Sequence, residues 1–325
     1  MTAKDHSYIS NTVGGLVSTI IPVYNRPALL REAVGSVLAQ TYRPIEIIIV
    51  NDGSTDETVS VAEDLKRENP LEVRVVHQPN FGPGAAREVG RLQAKGEFVQ
   101  YLDSDDLLLP CKFELQIAGL LVCPECTLSY GKTREYMIGE SPSDVATRRT
   151  GERHETIFPA ALKGRLWATE TPLFRRAALR GIGPWSSLKV LEDWEYECRL
   201  GAGGSMLHYC DEFVSDHRHH AGMREGLRWQ EDLKVFEDML TAHIMVLKYA
   251  RDAGVADTSP EMKHYARNLF RLARDTGVRR LRVHASHLLK LANDIDHGVE
   301  YRAYRWISII LGWKLVAICS QRLVE

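Results

Sequence analysis

Cysteine is scarce in this chain, with six among 325 residues, and that excludes a disulfide framework in a sequence this long. Cys123-Pro-Glu-Cys126 has CxxC spacing. No second pair or histidine set follows at the spacing of a structural zinc site, so the motif is assigned no metal or redox role. Net charge is also small, at −2, which excludes the strong basic excess of a general nucleic-acid binder. A membrane-spanning run is missing. The longest apolar stretch, Trp306 to Cys319, has 14 residues and carries Lys314, short of the ~20 that a spanning helix needs. The opening MTAKDHSYISNTVGG lacks the apolar centre of a secretory signal. The expected compartment is a reducing cytoplasm.

What is present is an ordinary globular composition, 44% apolar and 26% charged, and enough length for one large domain or two. Charge is uneven. Gly226 to Glu325 holds 16 Lys/Arg against 12 Asp/Glu, leaving the preceding part near −6. Such a tail suits either an anionic surface or a solvated helical face. Arg302, Arg305 and Arg322 flank the Trp306 run. That run therefore reads as a helix lying in a membrane interface, or as one packed on its own domain or on a second copy of the chain.

The first hundred residues alternate strand and helix signals. LVSTIIPVYN and IEIIIVNDGS are apolar, β-branched runs that end in turn residues, as strands buried on both faces do. LEVRVVHQ and EFVQYLDSDD are two more. PALLREAVGSVLAQTY, TDETVSVAEDLKREN (capped by Ser54 or Thr55) and PGAAREVGRLQAKG read as the intervening helices. Alternation with short links predicts an α/β fold with a mostly parallel sheet flanked by helices. Ligands bind such sheets beyond the carboxyl ends of the strands. The polar clusters Tyr24-Asn25, Asn51-Asp52-Gly53-Ser54 and Asp103-Ser104-Asp105-Asp106 all fall at those ends. Glu140 to Gly164 is polar, aperiodic and read as a long loop. After Gly226 nearly everything reads as helix, which sets a soft boundary near residue 225.

Asp103 and Asp105 stand two apart, so in an extended segment they face the same way. Hard carboxylate oxygens suit Mg2+ or Mn2+ shared with a phosphate. The cluster also precedes a helix, and one such residue would serve as its N-cap. Glu192-Asp193 in LEDWEYE is a further acidic pair, suited to general-base work or to the positive end of a helix dipole.

Three blocks carry a resemblance to family 2 glycosyltransferases, which have the GT-A (Rossmann-like) fold. They are VSTIIPVYNRPALLREAVGSVLAQTYRPIEIIIVNDGSTDET, NFGPGAAREVGRLQAKGEFVQYLDSDDLLLP and GIGPWSSLKVLEDWEYECRL, in that order over roughly residues 16–222. The C-terminal hundred residues have no such match. The resemblance implies a tail over 1–12 and a GT-A domain over 13–225, with a nucleotide-sugar half at 13–110 and an acceptor half at 111–225. A helical C-terminal extension would fill 226–325. Pro22, Tyr24, Asn25, Asp52, Arg87, Asp103 and Ser104 would bind the nucleotide-sugar. Asp103, Asp105 and His220 would hold Mg2+ or Mn2+, the last from the segment SDHRHHAG, where His217 departs from the usual aromatic. Asp193 would be the catalytic base, with Glu192 and Trp194 at the acceptor site. The expected reaction is inverting sugar transfer from a nucleotide-diphosphate sugar, UDP-linked for preference, to a hydroxyl of a glycan or lipid-linked acceptor. Polysaccharide or cell-surface glycan synthesis is the expected setting. The enzyme would be cytoplasmic, with room for peripheral contact at the inner membrane face and for a homodimer. Two rivals are a nucleotidyltransferase, for which IIPVYNRP lacks the Gly-rich phosphate loop, and a non-catalytic sugar-nucleotide scaffold, against which the intact acidic residues argue.

Overall fold

A computed structural model describes residues 12–220 and 232–311. The strands β1 (Val13–Val23), β2 (Ile45–Asp52), β3 (Val73–Gln78) and β4 (Gly96–Tyr101) are joined by helices α1 (Pro27–Leu38), α2 (Thr58–Glu68) and α3 (Pro83–Gln93). All eight residues of β2 are buried, because helices cover both faces of a parallel sheet. β2 pairs parallel with β3 and with β1, and β1 pairs parallel with β4. The carboxyl ends of these strands therefore share one edge.

Beyond that half the sheet is mixed. β5 (Leu107–Leu108), α4 (Lys112–Val122), β6 (Cys126–Met137), β7 (Leu173–Arg175), α5 (Glu192–Ala202) and β8 (Met206–His219) complete it, in the order β3-β2-β1-β4-β7-β6-β8-β5. β7 runs antiparallel to β4 and β6, and β5 antiparallel to β8. Leu107 stands opposite Asp216 and Leu108 opposite Ser215. Continued one step, this register sets Asp106 beside His217.

The C-terminal helices α6 (Leu233–Asp252), α7 (Pro260–Val278), α8 (Arg282–Asp296) and α9 (Val299–Leu311) follow. Asp232 caps α6, accepting from the amides of Lys234 and Val235, and Ser259 caps α7. One apolar core joins Ile20 of β1, Trp194 of α5, Phe236 of α6, Tyr265 of α7 and Leu289 of α8. It runs unbroken past the expected boundary near residue 225. Among the described residues, no helix is long and apolar enough to cross a membrane. The Trp306 to Cys319 run lies outside the described residues beyond Leu311.

Three local expectations are corrected. α2 starts at Thr58, whose amide donates to Asp56 Oδ1 at 2.9 Å. Ser54 and Thr55 do not cap it, because Asn25 has claimed both. Asp106 is no helix cap either: it is buried and turned toward β8. Cys123 and Cys126, given no role above, are joined by a disulfide.

Candidate active site

The three polar strand ends close on one another through short hydrogen bonds. Asn25 takes a left-handed backbone, φ 51°, that asparagine tolerates better than most residues. Its amide donates to Ser54 Oγ at 3.0 Å and its Oδ1 accepts from the Thr55 amide at 2.8 Å, locking the β1 and β2 ends together. Asp52 is buried and accepts from Gln78 Nε2 at 2.6 Å, from the Phe81 amide at 2.9 Å and from the Gly82 amide at 2.8 Å. Two carboxylate oxygens offer about four acceptor positions, so one remains for a ligand.

Asp103, Ser104, Asp105 and Asp106 form a turn, with the Asp106 amide donating to Asp103 O at 3.1 Å. The segment is not extended, and its carboxylates face different cations. Asp103 Oδ1 accepts from Arg87 Nη2 at 2.7 Å. Asp105 Oδ2 lies 2.6 Å from Arg26 Nη1 and 3.2 Å from His220 Nε2. Asp106 accepts from the Arg218 amide at 2.7 Å, and its Oδ2 lies 3.1 Å from His217 Nδ1. Burial alone would lower the His217 pKa, but Asp106 and Glu170 outweigh it and raise it to about 11.

Arg87 is buried and bridges two motif blocks, donating to Glu192 Oε1 at 2.8 Å as well as to Asp103. Its guanidinium also stacks over the Trp185 ring at 4.9 Å. Burial and the adjacent Asp193 together raise Glu192 to about 7, against the opposing pull of Arg87. Glu192 and Asp193 open α5 directly after Leu191, a non-glycine residue at φ 59°. Such strain collects at functional sites, and here it turns the first residues of the helix into the cleft. Asp193 Oδ2 is held by Arg165, whose other amino group donates to Glu197 Oε1 at 2.7 Å.

A cleft of about 1100 Å³ joins these groups. Pro22, Tyr24, Asn25, Asp52, Arg87, Asp103, Ser104, Asp105, Glu192, Asp193 and His220 all line it. Trp194 does not. It is buried against the C-terminal helices, its Nε1 donating to Ala161 O at 3.3 Å and its ring lying edge-on to His243 at 5.0 Å. Its place one residue after Asp193 turns it to the far side of α5, which corrects its assignment to the acceptor site.

Sequence reasoning missed Arg26, Arg148, Arg165, Lys189 and Met239 on the cleft wall. Arg26 follows the Tyr24-Asn25 cluster directly and was within reach of that signal. The others sit in aperiodic segments, or, for Met239, on a helix without a motif. Among the described residues, two trios bring their ligand atoms within 4.8 Å of one another: Asp106, Glu170 and His217, and Glu135, His217 and His219. Neither contains Asp103 or Asp105. Of the expected metal ligands, Asp105 and His220 stand together, and Asp103 points instead at Arg87.

The description "Glycosyl transferase family 2" matches residues 18–158. An "Uncharacterized glycosyltransferase" of Rickettsia felis is 35% identical over 147 residues, which are 45% of this chain and 24% of that protein. The "Putative glycosyltransferase EpsH" of Bacillus subtilis is 34% identical over 174 residues, 50% of this chain and 48% of that one. The chain thus spans less than half the length of these relatives. Among solved structures, S. aureus TarS 1–349 in complex with UDP-GlcNAc aligns with TM-score 0.62 at 19% identity, covering 94% of this chain and 91% of that one. The mannosyltransferase PcManGT from Pyrobaculum calidifontis, in complex with GDP-Man and Mn2+, aligns with TM-score 0.53 at 16% identity, over 93% and 86%. These alignments fix the fold as GT-A, and residues 18–158 are similar to glycosyl transferase family 2.

Proposed function

We propose that the protein is a metal-dependent inverting glycosyltransferase that moves a sugar from a nucleotide-diphosphate donor to a hydroxyl acceptor. The carrying observation is the cleft itself, where Arg87 ties Asp103 at the donor-side strand end to Glu192 beside Asp193. Asp193 is the general base. Arg165 fixes its orientation, and one face of its carboxylate opens on the cleft. With the acceptor bound, Asp193 takes the proton of its hydroxyl, and Glu192 orients the same acceptor. A single displacement at the anomeric carbon inverts its configuration.

Asp52 and the exposed ring of Tyr24 suit a nucleobase, the carboxylate accepting from a ring N–H and the ring stacking on the base. This supports uridine, and the UDP-GlcNAc and GDP-Man of the two structural relatives keep both bases in view. The Asp105 carboxylate is the hard oxygen ligand that Mn2+ or Mg2+ takes, and His220 Nε2, 3.2 Å from its Oδ2, would be the imidazole beside it. Asp105 and His220 would hold the ion, whose chemistry there would be to offset the charge that develops on the diphosphate leaving group. Asp103 completes the donor side from the Arg87 bridge. The remaining proposals are a glycan or lipid-linked acceptor, peripheral contact with the cytoplasmic face of a membrane, and a homodimer.

The test incubates the protein with UDP- and GDP-sugars and Mn2+, and measures nucleoside diphosphate release with and without EDTA. Metal-dependent release is expected. No release from any donor would favour a scaffold role. Pyrophosphate formed from a nucleoside triphosphate and a sugar phosphate would favour the nucleotidyltransferase.

A further inference from the structure

Three side chains converge at the ends of β6 and β8, and none of them has a part in the proposed reaction. Glu135 stands opposite His217 in the parallel pairing of the two strands. His219 follows His217 by two residues, on the same face of β8. One ligand atom from each of Glu135, His217 and His219 lies within 4.8 Å of the others. Glu135 Oε1 touches His219 Nε2, and the two imidazole rings stand 5.3 Å apart at 82°.

The groups around this trio are those that surround a metal site. A ligating histidine usually gives its other ring nitrogen to a carboxylate, and a ligating carboxylate is itself hydrogen-bonded. Asp106 Oδ2 lies 3.1 Å from His217 Nδ1, which leaves Nε2 for an ion. Thr147 Oγ1 donates to Glu135 Oε2, which leaves Oε1 facing His219. The buried Asp106 and Glu170 carboxylates lie 3.1 and 3.7 Å from the His217 ring. A cation on Nε2 replaces the second proton of that ring and keeps the positive charge these carboxylates favour. The Glu135, His217 and His219 side chains are 35%, 15% and 25% exposed, so an ion can enter and keep water on its open positions. The other trio, Asp106, Glu170 and His217, gives no such access. Asp106 and Glu170 are 1% and 0% exposed, and Asp106 already accepts from the Arg218 amide.

We propose that Glu135, His217 and His219 form a site for a transition-metal ion of the zinc class, separate from the ion expected at Asp105. Two imidazoles and one carboxylate are a ligand set that Zn2+ takes with a further position left to water. Mg2+ prefers oxygen ligands and is the poorer fit. The ion ties β6 to β8 one residue before His220, whose Nε2 lies 3.2 Å from Asp105 Oδ2. It therefore steadies the strand end from which His220 reaches Asp105. The site is independent of the glycosyltransferase reading, and only its benefit to His220 rests on that reading.

The full chain is stripped with EDTA and exchanged into buffer without reductant, so that the Cys123–Cys126 disulfide stays closed. It is then titrated with Zn2+ against a chromogenic chelator, and in parallel with Co2+, read by its visible ligand-field bands. One equivalent of Zn2+ should bind with a Kd of about 1 μM or less, and Zn2+ should raise the thermal midpoint. Glu135→Gln and His219→Gln should each weaken Zn2+ by about tenfold or more. Each should also alter the Co2+ bands and lose the Zn2+-dependent rise in midpoint. Asp105→Asn should leave Zn2+ affinity unchanged. A merely structural Glu135–His219 pair would instead lower the metal-free midpoint in both variants and leave Zn2+ binding as it was. No Zn2+ binding to the wild-type protein, or binding that survives in the Glu135→Gln/His219→Gln double variant, would overturn the proposal. So would a loss confined to Asp105→Asn, which would place the ion at the donor side. Sugar transfer is not among the readouts, so a failure of the glycosyltransferase reading leaves these outcomes as they stand.

Discussion

Arg87 Nη1 donates to Glu192 Oε1 at 2.8 Å across 105 residues of sequence, and the same guanidinium holds Asp103 at 2.7 Å. One buried cation thus couples the donor-side turn to the helix that presents the candidate base. Removing it leaves two carboxylates in the cleft wall without their partner, and Glu192 fully so because it is buried. Breaking a buried pair in this way costs about 3–5 kcal/mol. Arg87→Ala should lower stability to urea by that order. Arg87→Lys, a single point charge, should recover only part of it. An unchanged unfolding midpoint for Arg87→Ala would show that the bridge is not structural.

Asp193→Asn keeps the shape of the side chain and removes its basicity. Transfer should fall by about 10²–10⁴-fold, the usual contribution of a general base, with donor affinity held within twofold or so. Steady-state kinetics beside a donor-binding titration separates the two. A variant that transfers at nearly the wild-type rate would remove Asp193 from the mechanism.

Gly84 opens α3 where that helix meets the segment before α5. A Cβ there would lie 2.8 Å from Ser186 O and 3.5 Å from Glu192 Cγ. The obstacle is backbone, so the chain has to shift. Gly84→Ala should destabilise by about 1–3 kcal/mol and weaken activity by displacing Glu192. Chemical denaturation and an activity assay on the same sample check both effects.

His243 gives the protein an acid limit. It is half-buried against Trp194 and Tyr265, and its loss of solvation there lowers its pKa from 6.5 to about 4. As pH falls, the unfolded chain takes up the proton first, near 6.5, and the folded chain does so only near 4. The contribution is complete above pH 6.5 and is lost progressively between 6.5 and 4, by up to about 3 kcal/mol. His243→Phe should narrow the difference in thermal midpoint between pH 7 and pH 5. An identical difference in both proteins would assign the acid sensitivity elsewhere.

The fold was largely legible in the sequence. Short-range alternation of strand and helix signals identified β1 to β4 and their helices, because parallel strands buried on both faces read as continuous apolar runs. The strand-end clusters were legible for the same reason, since a strand's last residue fixes where its loop begins. The mixed half was not. β5 has two residues, and the pairing of β5 with β8 joins segments more than a hundred residues apart. Arg148 and Arg165 were illegible because an aperiodic polar segment carries no sign of which side chain turns inward.

The sequence by itself determined that acidic and polar residues collect at the carboxyl ends of parallel strands, and that Asp193 opens a helix. Local periodicity and turn chemistry suffice for both. Tertiary structure alone decided how these charges are answered: Asp103 and Glu192 by Arg87, Asp193 by Arg165, and Asp106 by His217 and the Arg218 amide. Charge compensation acts through space over a few ångströms, so it depends on which distant segments the sheet brings into register.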